Sequence, residues 1–338
     1  MWQAPCVNIA VIGLGLIGGS LLQALAAGGH RMWGYDTDPA TRATARTAAA
    51  QAPPRARWQV TGELRDAVAH ADLVVIAVPF PSVDEVLHGL MAAGYTGLVT
   101  DVTGVKAPVR DLVAQRLHSG HWRLAGYVGG HPMAGRETSG FTAADPSLFT
   151  GAAWVLCLEP DTSLADWLTL ADLITRLGAR VVPTTAADHD RVVAAVSHLP
   201  HLVAAALTTA VAGDPLALTL AAGSFRDGTR VAATPPALTA AMCGGNAPAV
   251  SEALVNFTRL LEEAAAALGS DYPVHALRPW LAPAAEARSA WPPRAGARFE
   301  LPARPDALLD LGREGGWVVA VNQGRRSVLA VRPMSPSA

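Results

Sequence analysis

The residue types best suited to chemistry are a histidine and an arginine set among glycines. His131 lies in the stretch 129–140 (GGHPMAGRETSG), where an imidazole has a pKa suited to proton transfer near neutral pH. Arg230 closes the stretch 223–230 (GSFRDGTR), in which Asp227 offers a carboxylate that can hold a guanidinium for an anionic ligand. A surface ion pair is the alternative interpretation of this second stretch.

Two further histidines, His198 and His201, are three positions apart and therefore share one face of a predicted helix. Pro200 lies between them, removes a backbone donor, and predicts a kink that frees backbone groups near a site. The spacing permits a metal ion. Because the sequence suggests no third ligand, we expect no metal.

An apolar stretch of strand length, 7–12, leads into Gly13, Gly15 and Gly18, the spacing of a dinucleotide-binding turn. The first glycine permits the tight turn, the second removes the Cβ that would block a pyrophosphate, and the third lets the next helix pack closely. That helix directs unpaired N–H groups at the phosphates. The predicted cofactor-binding residues are Gly13, Gly15, Leu16, Ile17, Gly18, Asp36, Val78, Pro79 and Asp101.

Asp36 follows a second short strand, 31–35, and lies about 20 residues beyond the turn, where a carboxylate meets the adenosine ribose. A carboxylate there favours the free 2′-hydroxyl of NAD and repels the 2′-phosphate of NADP. We therefore expect NAD as the cofactor.

A chain of 338 residues with a net charge of −2 is long enough for two domains and has no basic face for nucleic acid or for a membrane. Its cysteines form no metal or disulfide pattern, which favours a reducing cytoplasm. Its apolar stretches are too short to span a bilayer. Lys106 is the only lysine among the 26 basic residues, so we expect it to have a role.

Continuous apolar runs alternate with helical segments in the first half of the chain, at 73–79, 98–102, 127–130 and 154–158. Such runs are typical of a parallel sheet covered on both faces. We expect an α/β, Rossmann-type, doubly wound dinucleotide-binding domain at 1–160, with ligands at the carboxyl ends of its strands. Residues 161–282 show only helical patterns and predict an all-helical domain for substrate binding and homodimer formation.

The remaining residues, 283–338, predict a linker and a small tail. The segment 283–298 is rich in proline, alanine and arginine, as linkers are. The predicted tail is β-α-β-β, with a strand at 299–301, a helix near 307–313, and strands at 317–321 and 327–331. We expect it to pack on its neighbours; a vestige of an effector-binding module is the alternative.

Five motifs in this order resemble the TyrA family of prephenate and arogenate dehydrogenases, over residues 7 to about 270. They are the stretches 13–20, 101–106, 131–137, 197–201 and 225–230. The resemblance implies a Rossmann domain, a helical dimerisation domain, and NAD-dependent oxidative decarboxylation of a cyclohexadienol to a phenol in tyrosine biosynthesis.

The resemblance also implies residue roles. His131 would bind the ring C4 hydroxyl and take its proton as hydride leaves C4, with Thr103 as the nearby hydroxyl. Arg230 and His201 would hold the substrate carboxylate, and Lys106 would pair with a loop carboxylate. The other implied site residues are Glu137, His198, Asp227 and Gly223.

Two departures from the family pattern leave the substrate open. Gly104 stands where the family has a serine whose hydroxyl helps the catalytic histidine, and Thr239 stands where it has a tryptophan. Arogenate and the 4-amino analogue of prephenate used in antibiotic biosynthesis are alternative substrates. Another two-domain Rossmann dehydrogenase and a catalytically silent NAD-binding regulator are alternative functions.

Overall fold

The computed structural model describes residues 6–118, 120, 122–136 and 138–334. Its first sheet has six strands: β1 (Asn8–Ile12), β2 (Arg31–Tyr35), β3 (Gln59–Val60), β4 (Leu73–Ile76), β5 (Leu98–Asp101) and β6 (Gly126–Val128). All pairs are parallel, in the order β3-β2-β1-β4-β5-β6. This is the predicted doubly wound arrangement.

Helices cover both faces of this sheet because alternate residues of its central strands enter two separate cores. Ile9 and Val11 of β1 pack on one side, and Ala10 and Ile12 pack on the other. The covering helices are α1 (Leu16–Ala27), α2 (Pro39–Gln51), α3 (Leu64–Val68), α4 (Val83–Ala92) and α5 (Ala107–His118). Burial on both faces explains why these strands are continuously apolar.

A second sheet also has six strands: β7 (Gly130–Pro132), β8 (Ala153–Cys157), β9 (Arg180–Thr184), β10 (Ala295–Pro302), β11 (Trp317–Val321) and β12 (Ser327–Pro333). Their order is β10-β12-β11-β9-β8-β7. Only β8 and β9 pair in parallel; the other pairs are antiparallel. The last three strands and α14 (Pro305–Arg313) confirm the predicted tail elements.

This sheet corrects three sequence predictions. The segment after residue 160 is not all helical, because 180–184 forms β9, and the predicted boundary at 160 falls between two paired strands. The apolar run 127–130 is divided between the two sheets. The segment 283–298 is not a linker: helix α13 (Pro273–Ser289) continues into it, since its alanines and arginines favour helix, and β10 starts at residue 295.

The remaining helices are α6 (Leu164–Arg176), α7 (Ala186–Val193), α8 (Leu199–Val211), α9 (Pro215–Leu220), α10 (Gly223–Thr229), α11 (Pro236–Gly245) and α12 (Ala247–Leu268). A π-helical segment, Ala194–His198, joins α7 to α8 just before Pro200. Because Pro200 has no N–H, the regular ladder of hydrogen bonds cannot continue there, and the π-helical segment precedes this break.

The continuous helix Ala186–Val211 is long and apolar enough to cross a membrane by length and composition, contrary to the prediction for the apolar stretches. Two polar residues near the start of this helix, His189 and Asp190, are buried. The carboxylate of Asp190 accepts hydrogen bonds from the backbone at the beginning of α5. These contacts identify the first part of this helix as a component of the folded core.

We expect Leu308→Ala to destabilise the protein by about 2–5 kcal/mol, because Leu308 of α14 is completely buried beneath the second sheet. Urea denaturation measures the change. Met334→Ala is the control, since Met334 is 56% exposed and should change stability by less than about 0.5 kcal/mol. Equal effects of the two substitutions would show that the tail is not part of the core.

Candidate functional site

A cleft of about 510 Å³ lies at the carboxyl ends of β1, β2 and β4. Gly13 has φ +98°, which permits the turn after β1, and a Cβ on Gly18 would lie 1.9 Å from the carbonyl oxygen of Gly13. A Cβ on Gly15 would meet nothing within 4 Å. The space in front of Gly15 therefore suits a phosphate group at the start of α1. Predicted residues that line the cleft are Gly13, Gly15, Asp36, Val78 and Pro79.

Asp36 is fixed by backbone N–H groups at the end of the cleft beside β2. Its Oδ2 accepts a hydrogen bond from Leu14 N (2.7 Å), and its Oδ1 accepts one from Asp38 N (2.9 Å). Arg42 lies nearby, but its Nη1 donates to the carbonyl oxygens of Asp36 and Thr37. The acidic group, rather than the guanidinium, is thus held at the cleft lining.

His131, on β7, belongs to a chain of three titratable side chains. Its Nδ1 lies 2.8 Å from Nε2 of His189, whose Nδ1 lies 2.7 Å from Oδ1 of Asp190. Burial, followed by the charges of His189, Lys106 and His198, lowers the pKa of His131 well below its ordinary value. His131 is therefore neutral at physiological pH and able to accept a proton.

Asp190 stays ionised in this chain. Burial opposes its ionisation, but hydrogen bonds from His189 and from the backbone N–H groups of Lys106 and Ala107 outweigh burial and lower the pKa of Asp190. Burial, together with the charge of Lys106, lowers the pKa of His189 although the neighbouring Asp190 raises it, so His189 is neutral at physiological pH. Neither His189 nor Asp190 was among the predicted site residues, although both lie just before the His198 segment.

Lys106 holds the backbone next to His131. Its buried Nζ contacts the carboxylate of Asp101 and donates to Oγ1 of Thr103 (3.0 Å) and to the carbonyl oxygen of Gly130 (2.6 Å). The hydroxyl of Tyr127 donates to the other Asp101 oxygen (2.7 Å). Lys106 thus pairs with a carboxylate, but that carboxylate belongs to the end of β5 rather than to a loop as expected. Asp101 was predicted to bind the cofactor, but it is not among the residues that line the nucleotide cleft. Its carboxylate is completely buried and accepts from Lys106 and Tyr127 instead.

The serine position of the family, Gly104, faces His131 directly. A Cβ there would lie 3.9 Å from Nε2 of His131 and 3.8 Å from Cγ of Met242, which is ordinary contact. The hydroxyl of Thr103 instead contacts Asp101 and the carbonyl oxygen of Val105. The described hydrogen bonds of Thr103 therefore place it in support of Lys106 rather than beside the His131 ring.

Helix α11 connects this site with the nucleotide cleft. Met242 reaches Gly104, and one turn further a Cβ on Gly245 would lie 3.0 Å from Phe80, the residue after the cleft residue Pro79. Helix α11 therefore packs both on Gly104, which lies beside His131, and on the segment that follows β4.

His198 and His201, at the junction of the π-helical segment and α8, each have one buried ring nitrogen without a partner among the described residues. These nitrogens are Nε2 of His198 and Nδ1 of His201. The charge of Arg230 adds to burial in lowering the pKa of His201, so Arg230 lies near that histidine. Asn246, which was not among the predicted site residues, contacts Nδ1 of His198 (3.3 Å) and donates to the backbone oxygen of Asp190 (2.7 Å).

Two other predicted site residues, Asp227 and Gly223, are exposed, and a third lies outside the described residues. Asp227 is exposed and pairs at 3.4 Å with Arg226, so the surface ion pair that was the alternative interpretation is what forms. Gly223 begins α10 and is exposed. Glu137 lies outside the described residues. Within the ranges that the structure describes, no group of three His, Cys, Asp or Glu side chains is arranged to hold a metal ion.

Comparison with known proteins gives one family along most of the chain. The family model described as "Prephenate dehydrogenase, nucleotide-binding domain" matches residues 22–183, and "Prephenate dehydrogenase, dimerization domain" matches residues 185–281. Prephenate dehydrogenase of Bacillus subtilis is 35% identical over 68% of this chain and 62% of its own length. This chain therefore spans less than two thirds of that relative.

Two further relatives are matched over nearly their whole length. Cyclohexadienyl dehydrogenase of Zymomonas mobilis is 33% identical over 78% of this chain and 89% of its own. The crystal structure of Synechocystis arogenate dehydrogenase matches with a TM-score of 0.68 and 29% identity, over 84% of this chain and 99% of that chain.

We expect the free energy of unfolding to fall as the pH drops from 6.5 toward 4, by about 1.4 kcal/mol per pH unit for each histidine kept neutral. Burial lowers the pKa of His198 to about 4, so the unfolded chain binds this proton first. Urea denaturation at pH 7, 6 and 5 measures the slope of the unfolding free energy against pH. His198→Asn should reduce this slope by the equivalent of up to one bound proton. The exposed control His70→Asn should leave the slope unchanged; identical slopes in all three proteins would contradict the assignment.

Proposed function

Because the chain belongs to the prephenate dehydrogenase family, we propose that it catalyses NAD-dependent oxidative decarboxylation of prephenate in tyrosine biosynthesis. The observation that carries the proposal is a neutral His131 whose Nδ1 is engaged by His189 and whose Nε2 lies beside Gly104. A single proton acceptor beside a nucleotide cleft is what this reaction requires.

The cleft fits NAD. The open space at Gly15 suits the pyrophosphate, and the fixed carboxylate of Asp36 suits the 2′-hydroxyl of the adenosine ribose. When bound, NAD supplies the hydride acceptor. Gly13, Gly15, Asp36, Val78 and Pro79 would hold the cofactor, and the start of α1 at Leu16 and Ile17 would face its phosphates, with Gly18 packing that helix against the turn.

Different side chains carry out proton transfer and substrate binding. Nε2 of His131 accepts the hydrogen bond of the C4 hydroxyl and takes its proton as hydride leaves C4. Loss of CO₂ then gives an aromatic ring, so the step runs downhill without a further acid. Arg230, with His201 beside it, holds the side-chain carboxylate. A grip on the departing ring carboxylate would instead stabilise the ground state and slow the reaction.

We further propose a homodimer formed through the helical region. Large apolar side chains are exposed along it, including Leu220 (72%), Val255 (69%) and Val274 (86%). Exposed apolar area of this extent marks a contact surface. The family model for residues 185–281 is named for dimerisation, which supports the same surface.

His131→Asn should lower kcat on prephenate by about 10²–10⁴-fold, because it removes the proton acceptor and leaves the cleft intact. NADH absorbance measures turnover on prephenate, arogenate and 4-amino-4-deoxyprephenate side by side, and calorimetry measures NAD binding. His70→Asn should behave as wild type. A near-wild-type rate for His131→Asn would exclude this base; absence of turnover on all three substrates would favour an NAD-binding regulator.

Gly15→Ala should weaken NAD binding by at least tenfold, since a methyl group would enter the space assigned to the pyrophosphate. The folded chain leaves room for that methyl, so Tm should stay within about 2 °C. Gly213→Ala, at another position where a Cβ meets nothing, is the matched control. Unchanged NAD affinity in Gly15→Ala, or tighter binding of NADP than of NAD to the wild type, would contradict the cofactor assignment.

A further inference from the structure

The carboxylate of Asp190 accepts every hydrogen bond that it makes. Its Oδ1 accepts from Lys106 N (2.8 Å) and from the ring of His189 (2.7 Å), and its Oδ2 accepts from Ala107 N (2.9 Å). An ionised carboxylate has no hydrogen to donate. The hydrogen between Asp190 and His189 therefore resides on Nδ1 of His189.

This fixes the hydrogen positions of both histidines. A neutral imidazole carries one N–H, so Nε2 of His189 is a lone pair and can only accept. The 2.8 Å contact with His131 then requires the hydrogen on Nδ1 of His131. Nε2 of His131, which faces the space beside Gly104, is left with its lone pair.

We propose that Asp190 is a positioning residue that acts through His189 to fix the tautomer in which Nε2 of His131 accepts the substrate proton. Asp190 is well placed for this task because its carboxylate is held by two N–H groups at the start of α5, and its backbone oxygen accepts from Asn246. As Nε2 gains a proton, the same two hydrogen bonds connect the new imidazolium to a negative charge.

The surroundings of His189 set the pH range of this arrangement. Lys106 from the start of α5, with its positive charge, opposes protonation of His189, whereas Asp101 of β5 and Asp190 favour it. His131 faces His189 from β7. A charge on His189 in turn lowers the pKa of His198 in the π-helical segment. A protonated His189 would donate from Nε2 to His131 and reverse the His131 tautomer, so activity should fall on the acid side.

The direct test is histidine-selective ¹⁵N labelling with long-range ¹H–¹⁵N NMR of the full chain, which reports which ring nitrogen carries hydrogen. His131→Asn assigns the His131 signals. We expect His131 to be protonated at Nδ1 in the wild type and to become a mixture in Asp190→Ala. Asp188→Ala, the same change two residues earlier on α7, should leave the tautomer as in wild type. An Nε2-protonated His131 in wild type, or an unchanged tautomer in Asp190→Ala, would overturn the proposal.

Kinetics supply the second arm, which rests on the proposed function. Asp190→Ala and His189→Leu should lower kcat by at least 10²-fold, with KM changed less than threefold. His189→Gln should recover most of this loss, because its amide oxygen can accept from Nδ1 of His131. Equal losses in His189→Gln and His189→Leu, each folded by circular dichroism, would contradict a tautomer-fixing role.

The NMR measurement and the kinetic measurement test different claims, so each can contradict one claim and leave the other standing. The NMR measurement needs no substrate and reports the tautomer even if no cyclohexadienol is turned over. Absence of turnover with the expected tautomer present would overturn the proposed function alone. Normal turnover with the opposite tautomer would overturn the role of Asp190 alone.

Discussion

The contact between the Asp190 carboxylate and the first N–H groups of α5 is the constraint on which the rest of the site depends. It places an anion at a helix N-terminus, where backbone donors and the helix dipole favour negative charge. Those donors and His189 outweigh the opposing effect of burial on the Asp190 pKa. Because Asp190 lies on α7, the same contact docks α7 against the start of α5 and brings His189 to the ring of His131. One interaction thus joins the two regions and orients the proton acceptor.

The buried Lys106 holds the backbone of β7 next to His131. Its ammonium has three hydrogens, and Asp101, Thr103 and Gly130 offer an acceptor for each. A buried ion pair contributes little net stability, because desolvation offsets the attraction between the charges. Its consequence here is geometric, since it fixes the carbonyl group immediately before His131. The cluster also explains why the only lysine of the chain is completely enclosed while its 25 arginines are not.

The C-terminal strands have a structural role in the same arrangement. β7, which carries His131, lies at one edge of the second sheet and pairs with β8 alone in that sheet, with His131 opposite Val155. β11 adds to β9 on the other side of β8, and β12 and β10 extend the sheet further. Buried side chains such as Val318 and Leu308 join the tail to the main core. The tail therefore stabilises the sheet on which the proton acceptor stands.

The sequence alone determined what depends on local pattern. Continuous apolar runs predicted the parallel sheet, the spacing of Gly13, Gly15 and Gly18 predicted the nucleotide turn, and the order of the motifs predicted the family. Contacts between distant residues could not be read in this way. The pairing of β9 with β11, the hydrogen bond from Lys106 to Gly130, and the chain from Asp190 to His131 each join segments with no shared local signal. Only the folded chain decides them, because hydrogen bonds and burial act over distance in space, whereas propensity and periodicity act over neighbouring positions in sequence.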